Sequence, residues 1–251
     1  MIDFLNEIDT AVFLFFNGMH APFLDRFMVL FTGRFIWIPM YATIFILLVR
    51  HCGMRRAWIY ALGIGLAILF TDQLCAAHIR PVIERLRPSN LANPLSELTI
   101  VVNNYRGGPY GFPSCHSANS FALATFMAFL FLRRRLTAFI FGWAVLNSYT
   151  RLYLGVHYPG DLLVGAVIGS AIGYMCCRVS IAAERTLFRS AQHMDSGRPG
   201  EERGLGRPIA SVPYGFEWAG IGRNSIDITA GDLLIGVGSL TAMCIVLASL
   251  I

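Results

Sequence analysis

Three short clusters of ionisable residues interrupt a chain that is otherwise strongly apolar. In chain order they comprise Arg80 with Arg87, then Pro113-Ser114-Cys115-His116, then Arg151 with His157 and Asp161. Arginine guanidinium groups match the geometry of phosphate oxygens, and a pair of histidines can supply a nucleophile and a general acid. Each cluster adjoins a long apolar run, where charged groups are costly and are rarely kept without a function. Together, these residue types are suited to binding and transferring a phosphoryl group.

The second cluster has the pattern of a helix start. Ser114 follows Pro113 and precedes a long apolar run, so we expect it to cap a helix. The free N–H groups and the dipole at a helix start favour a bound anion, and His116 would project beside that anion. If this cluster stood alone, an ordinary capped helix with an interfacial histidine would be the preferred interpretation.

The spacing within the third cluster is more specific. Pro159 is typical of a first helical turn, which puts His157 at the edge of a helix. Asp161 lies four residues after His157 and can hydrogen-bond one ring nitrogen, so that the other nitrogen faces a substrate. The alternative is a structural salt bridge between Arg151 and Asp161, which would leave His157 unexplained.

The first cluster is the least specific. Arg80 and Arg87 are seven residues apart, which places them on one face if the segment is helical. Taken alone, a basic patch beside a membrane span favours binding of lipid head groups.

The composition favours a membrane protein. Hydrophobic residues make up 55% of the 251 residues and charged residues only 14%, below the ~25% usual in soluble domains. The net charge of +5 is carried by arginine, because the chain contains no lysine. In a small apolar chain this excess is expected to set membrane topology and not to bind nucleic acid. The six cysteines show no paired metal-site spacing, so we expect buried thiols and no metal site.

The apolar runs predict an all-α integral membrane helical bundle. The five core spans and the sixth, C-terminal span fall at 35–49, 57–79, 117–132, 136–150, 162–177 and 233–251. The predicted regions are N-terminal interfacial helices (1–34), a transmembrane core (35–178), a polar cytoplasmic linker (179–228) and a C-terminal transmembrane helix (229–251). Within the fifth core span, Gly165, Gly169 and Gly173 predict close helix–helix packing through small residues.

The arginines outside the three clusters predict the orientation of the bundle. They concentrate in the connections at 50–56, 133–135 and 178–189, which the positive-inside rule assigns to the cytoplasm. All three clusters then lie at the opposite ends of the spans. This pattern predicts an integral membrane protein with its reactive face toward the extracytoplasmic side.

The three clusters, in this order, resemble the type 2 phosphatidic acid phosphatase superfamily of membrane lipid phosphatases. The pattern of that family is Lys-x6-Arg-Pro, then Pro-Ser-Gly-His, then Ser-Arg-x5-His-x3-Asp, and the resemblance covers roughly residues 10–178. Here Arg80 replaces the lysine, Thr150 the serine and Cys115 the glycine. Cysteine fits if position 115 is the first residue of a helix, whereas a positive φ or close approach to phosphate would require glycine. We expect the former.

The resemblance implies metal-free, cofactor-free hydrolysis of a lipid phosphate through a covalent phosphohistidine. Together with the predicted orientation, it implies a protein of the bacterial inner membrane with its active site facing the periplasm. His157 would be the nucleophile, Asp161 its orienting partner and His116 the acid that protonates the leaving oxygen. The phosphoryl oxygens would be held by Arg80, Arg87, Arg151, Ser114 and the backbone at Cys115.

Several interpretations of the substrate and activity remain open from the sequence. Undecaprenyl diphosphate is the first choice, followed by lipid A and then by phosphatidic acid or phosphatidylglycerol phosphate. The loop at 89–112 is the expected specificity lid. A metal-dependent hydrolase would use the same histidines and Asp161, with Asp72 as a further candidate ligand, but three converging arginines would repel the metal. A non-catalytic protein that binds or translocates lipid is a further alternative.

Overall fold

The apolar runs fold into helices throughout the part of the chain that the structure describes. The computed structural model describes residues 2–33, 35–195 and 225–250, and within these ranges every regular element is a helix. In chain order the helices are α1 (Ile2–Asn17), α2 (Pro22–Phe31), α3 (Ile38–Cys52), α4 (Met54–Asp72), a π-helical segment (Gln73–Ile79), α5 (Arg80–Ile83), α6 (Cys115–Phe131), α7 (Arg134–Tyr153), α8 (Pro159–Asp195) and α9 (Ser225–Leu250), with short 3₁₀ turns at Pro94–Glu97 and Val102–Asn104. The all-α prediction is confirmed.

Helices form at all six predicted spans. In the described ranges, three are long and apolar enough to cross a membrane, namely Met54–Ile83, Pro159–Phe188 and Gly231–Leu250. Helices α3 and α6 are apolar but shorter. Large apolar side chains such as Trp58, Leu62, Leu163 and Val167 are exposed on the outside of the bundle, as is expected of surfaces that face lipid. The chain is an integral membrane helical bundle.

The connection between the first and second clusters departs from the helical expectation. The long α4 helix continues through the π-helical segment and α5 but ends at Ile83, because Glu84 adopts a left-handed conformation with φ of 50°. The following residues are extended, and Leu86 pairs with Tyr110 in an antiparallel bridge. Arg80 and Arg87 therefore do not share a helix face, and their proximity comes from this turn of the chain.

Among the helices that the structure describes, α6 and α8 share the most extensive contact, as the glycine repeat predicts. A Cβ atom at Gly165 would lie 2.5 Å from the Ser114 carbonyl oxygen, and one at Gly173 would lie 2.3 Å from the Ala122 carbonyl oxygen. The glycines therefore let the two backbones touch. This contact aligns the start of α6 with the start of α8.

The N-terminal residues form the two helices α1 and α2, which are separated near Gly18. Helix α1 carries exposed apolar side chains, including Phe4, Leu5 and Phe15. Its location in the membrane interface remains a prediction.

The end of the bundle opposite the start of α8 contains a buried ion pair that the sequence analysis did not predict. Helix α8 continues past residue 178, the predicted end of the core, as far as Asp195. Within this extension Glu184 pairs with Arg56 at 3.1 Å, and both side chains are buried. Arg56 is therefore an internal partner of α8. Most of the predicted linker, residues 196–224, lies outside the described residues.

The close packing of α6 and α8 predicts a site-specific cost for bulk on α8. A Cβ at Gly169 would lie 2.0 Å from the Ala118 carbonyl oxygen, whereas a Cβ at Gly65 in α4 meets nothing within 4 Å. We expect Gly169→Val to destabilise the folded protein by at least about 1–3 kcal/mol, and Gly65→Val to have a much smaller effect. Thermal unfolding of both variants in detergent measures this. Equal midpoints would contradict the packing role of Gly169.

Candidate active site

The three sequence clusters meet at one end of the bundle. The start of α6 is joined to the start of α8, because the Ser114 amide donates to the Asp161 carbonyl oxygen at 3.0 Å. The Arg80 guanidinium reaches the Pro113 carbonyl oxygen at 3.0 Å, and that of Arg87 reaches the Val156 carbonyl oxygen at 3.2 Å. Backbone contacts thus hold the three clusters together.

His157 lies at the centre of this site, just before α8. Its side chain is 2% exposed, and that of Asp161 is fully buried. The ring Nδ1 lies 3.3 Å from Asp161 Oδ2, as the four-residue spacing predicts. Arg87 Nη1 lies 3.1 Å from the ring Nε2. Because a guanidinium can only donate, Nε2 accepts this bond and the ring hydrogen resides on Nδ1.

Arg87 is held rigidly beside this ring. Its side chain is buried, and besides His157 and Val156 it donates from Nε to the Tyr110 carbonyl oxygen at 3.1 Å. Burial, together with the positive charges of Arg80 and Arg151, lowers the pKa of Arg87 to about 10. It is therefore still cationic at neutral pH.

Arg151 lies in the last turn of α7, at the same end of the bundle as His157. Its guanidinium donates to the Thr32 hydroxyl at 3.1 Å and to the Tyr105 hydroxyl at 3.2 Å. Tyr105 belongs to the loop predicted to be a specificity lid. The salt bridge between Arg151 and Asp161 that the sequence left open is not formed, because Asp161 pairs with Arg85.

The start of α6 has the predicted geometry. Ser114 is the N-cap, and its side-chain oxygen faces the Ser117 amide at 3.5 Å. Cys115 is the first helical residue and does not have a positive φ, so the position does not require glycine. Its Sγ atom accepts a hydrogen bond from Arg80 Nη2 at 3.1 Å. His116 is exposed in the first turn of the helix.

The surrounding charges oppose protonation of His157. Its pKa lies well below the usual value, first because the ring is buried and second because Arg87, Arg151 and Arg80 are positively charged. The ring is therefore neutral at neutral pH. A neutral imidazole among cationic groups can act as a nucleophile toward an anionic phosphate.

Sequence reasoning missed three residues that complete the site. Arg85 donates to Asp161 Oδ1 at 2.9 Å and to Asp9 Oδ2 at 2.7 Å, which connects α1 to the centre of the site. Gly111 leaves room for the site, because a Cβ there would lie 3.0 Å from Asp161 Oδ2 and 3.4 Å from His157 Nδ1. The available signal for Asp9 was its position four and eight residues before Phe13 and Asn17, which are buried on the inner face of α1.

The donor set does not favour the metal-dependent alternative. Among the described residues, no group of three or more His, Cys, Asp or Glu side chains is arranged to hold a metal ion. Asp72 faces Asn119 of α6 instead, with the amide nitrogen 3.5 Å from the carboxylate oxygen. This is the polar contact between helices that such a residue ordinarily makes.

The chain is similar to several known proteins. A family model described as the PAP2 superfamily matches residues 56–185. A lipid A 4′-phosphatase of Bacteroides thetaiotaomicron is 54% identical over 175 residues, covering 70% of this chain and 78% of that protein. An undecaprenyl-diphosphatase of Sulfolobus acidocaldarius is 30% identical over 167 residues, covering 65% and 70%. The structure of a PAP2-type phosphatidylglycerolphosphate phosphatase of Bacillus subtilis is similar in fold, with a TM-score of 0.51, 20% identity, and 69% of this chain and 84% of that chain covered.

The geometry at Cys115 predicts that glycine and serine are both tolerated there. Neither substitution requires a change of backbone conformation, and Arg80 keeps its bond to the Pro113 carbonyl oxygen. We expect Cys115→Ser and Cys115→Gly to retain phosphate release within several-fold of the wild type. In contrast, Cys115→Leu should abolish it, since a branched side chain would displace Arg80. The measurement is phosphate release per folded protein. Full activity of the leucine variant would show that this position lies outside the site.

Proposed function

Because the chain belongs to the PAP2 superfamily of membrane phosphate-ester hydrolases, we propose that it is a lipid A phosphatase acting at the 4′-position. The observation that carries this proposal is the 54% identity to a lipid A 4′-phosphatase over 78% of that protein's length. Undecaprenyl diphosphate, the first choice from the sequence, has the weaker support of a relative that is 30% identical. The comparisons therefore favour the second choice over the first.

We propose that His157 is the nucleophile. Its Nε2 attacks phosphorus, forming a P–N bond while the bond to the leaving lipid oxygen breaks and His116 donates a proton to that oxygen. Water then attacks the phosphohistidine and gives a proton to His116, and the P–N bond breaks to release phosphate and neutral His157. Asp161 supports this cycle because its carboxylate stabilises the Nδ1–H of the ring when the ring carries charge.

The three arginines serve as the phosphate-binding groups in this proposal. Arg80, Arg87 and Arg151 surround His157, and each is oriented by neutral oxygen or sulfur acceptors. On substrate binding, the phosphoryl group would take the Arg87 hydrogen bond that Nε2 accepts, which frees the nitrogen lone pair. Phosphoryl transfer depends chiefly on such positioning and on neutralising charge spread over the oxygens. Ser114 and the backbone at Cys115 would contribute the remaining contacts.

The direction of the helices supports a periplasmic site. Helix α6 begins at the site and α7 returns to it, so the connecting arginines at 133–135 lie at the opposite end. By the positive-inside rule that end is cytoplasmic. We therefore propose that the enzyme resides in the inner membrane and acts on the outer leaflet, where a phosphorylated lipid head group can reach Arg151 and the loop at 89–112.

A substrate panel tests this function. The purified protein in detergent is assayed for phosphate release from lipid A, undecaprenyl diphosphate, phosphatidic acid and phosphatidylglycerol phosphate. We expect lipid A to be preferred, with loss of the 4′-phosphate seen by mass spectrometry. His157→Ala should lower the rate by roughly 10³-fold or more, and His51→Ala at the opposite end of the bundle should not. Preference for undecaprenyl diphosphate would restore the first choice. Equal release by wild type and His157→Ala would favour a non-catalytic protein.

Exhaustive chelation separates the proposed reaction from a metal-dependent one. The nucleophile in our proposal is a neutral imidazole, and the charge on phosphate is met by arginines, so activity should be unchanged in excess chelator. Orthovanadate should inhibit, because its five-coordinate form resembles the transition state. Loss of activity on chelation, restored by one divalent ion, would contradict the proposed mechanism.

A further inference from the structure

Arg85 connects two carboxylates that lie far apart in the sequence. Its Nη1 donates to Asp161 Oδ1 at 2.9 Å and its Nη2 donates to Asp9 Oδ2 at 2.7 Å. The guanidinium carbon also lies 4.0 Å from the centre of the Tyr158 ring. The Arg85 and Asp9 side chains are only 22% and 13% exposed. An ion pair this sheltered is held in one geometry and is weakly screened by solvent.

Asp9 makes a second contact with the catalytic segment. Its Oδ1 accepts a hydrogen bond from the Gly160 amide at 2.7 Å, at the start of α8. A Cβ at Gly160 would lie 2.9 Å from Asp9 Oδ2, so the two helices touch at this point. Asp9 therefore anchors both Arg85 and the helix turn that carries Asp161.

Each carboxylate oxygen of Asp161 has its own hydrogen-bond partners. Oδ1 receives Arg85, while Oδ2 receives the Tyr158 amide at 3.0 Å and faces His157 Nδ1 at 3.3 Å. Without Arg85, the carboxylate could rotate about its Cβ–Cγ bond. Its alignment with the imidazole therefore depends on a guanidinium outside the residues that the family pattern identifies.

The charges of the three groups also have to balance. Arg85 by itself would cancel much of the negative charge of Asp161 that stabilises a charged His157 ring. Asp9 offsets the positive charge of Arg85, so the group formed by Asp9, Arg85 and Asp161 keeps a net negative charge beside the imidazole. From this geometry, and on the basis of the proposed function, we infer that Asp9 and Arg85 are positioning residues that hold Asp161 aligned and negatively charged for phosphoryl transfer at His157.

Opposite effects on His157 follow from removing the two charges. Neutralising Asp9 makes the surroundings more positive and lowers the pKa of His157, whereas neutralising Arg85 raises it. The other charged groups that act on the ring are Arg87, Arg151, Arg80 and Asp161. The neighbouring titratable groups are Tyr105 and Cys115, which contact Arg151 and Arg80, Tyr158, whose ring lies against Arg85, and His116, which follows Cys115 in α6. They are the same in every variant, so the order of the shifts reports the two substituted charges.

The experiment compares Asp9→Asn, Arg85→Gln and the double variant with the wild-type protein. Titration of the His157 ring, followed by ¹⁵N-histidine NMR in detergent and assigned with His157→Ala, needs no turnover. The expected order of midpoints is Arg85→Gln highest, Asp9→Asn lowest, and the wild type and double variant between them. In the substrate assay, each single variant should lower kcat by about 10- to 100-fold with little change in KM. The acid limb of the kcat profile should move in the same order.

Asp25→Asn is the matched control. Asp25 is a carboxylate in the neighbouring helix α2 that contacts His20 and Tyr153 and not Arg85. Its loss should leave the His157 midpoint unchanged even if it lowers stability. Midpoints unchanged in Asp9→Asn and Arg85→Gln, with activity reduced only in proportion to folded protein, would overturn the inference. Opposed midpoint shifts in a protein that releases no phosphate would instead refute the proposed function and leave the coupling intact.

Discussion

Three like charges lie close together in a largely buried site. Among the residues that the structure describes, Arg80, Arg87 and Arg151 have no carboxylate within ion-pair distance; neutral carbonyl, hydroxyl and thiol groups orient them. Pairing them with acids would relieve their repulsion but would also neutralise the charge that a phosphate needs. Neutral acceptors fix the geometry and leave the attraction for the ligand. Burial lowers the pKa of His157, and the positive field that attracts an anion lowers that pKa further.

The helix contacts are arranged so that this charged end is rigid. Glycines in α8 bring its backbone against α6, and at the site end the Ser117 hydroxyl donates to the Leu162 carbonyl oxygen at 2.7 Å. The distance between the capped start of α6 and the His157–Asp161 pair is thereby set by backbone contact, which cannot adjust as side chains can. Packing deep in the bundle and the chemistry at its end are therefore two aspects of one helix pair.

The spacing of residues along the chain predicted the features that depend on neighbouring residues of one element. The four-residue interval between His157 and Asp161, the cap at Ser114 and the glycine repeat of α8 all concern neighbours on one element, and the structure has each of them as expected. The helical relation of Arg80 to Arg87 was wrong because a left-handed Glu84 ends the helix, and no motif marks that residue.

Contacts between residues far apart in the sequence could not be predicted from the spacing of residues within a motif. Asp9 meets Arg85 across 76 positions, and Arg56 meets Glu184 at the other end of the bundle. A single sequence gives no information on which of 20 arginines faces which acid. Arg85 is therefore not among the predicted site residues, although it pairs with Asp161 at 2.9 Å.

The buried side-chain amide of Asn17 fixes one point of the loop at 89–112. Its side chain is 1% exposed, donates to the carbonyl oxygens of Ile100 and Tyr153 at 3.1 and 2.9 Å, and accepts from the Ile100 amide at 2.8 Å. These hydrogen bonds attach the loop, at Ile100, to α1 and to the end of α7. Tyr105 of the same loop is 47% exposed, and its hydroxyl accepts a hydrogen bond from Arg151. Under the proposed function, a head group that enters past Tyr105 would displace this partner of Arg151, so binding of the ligand would also free the guanidinium that contacts its phosphate.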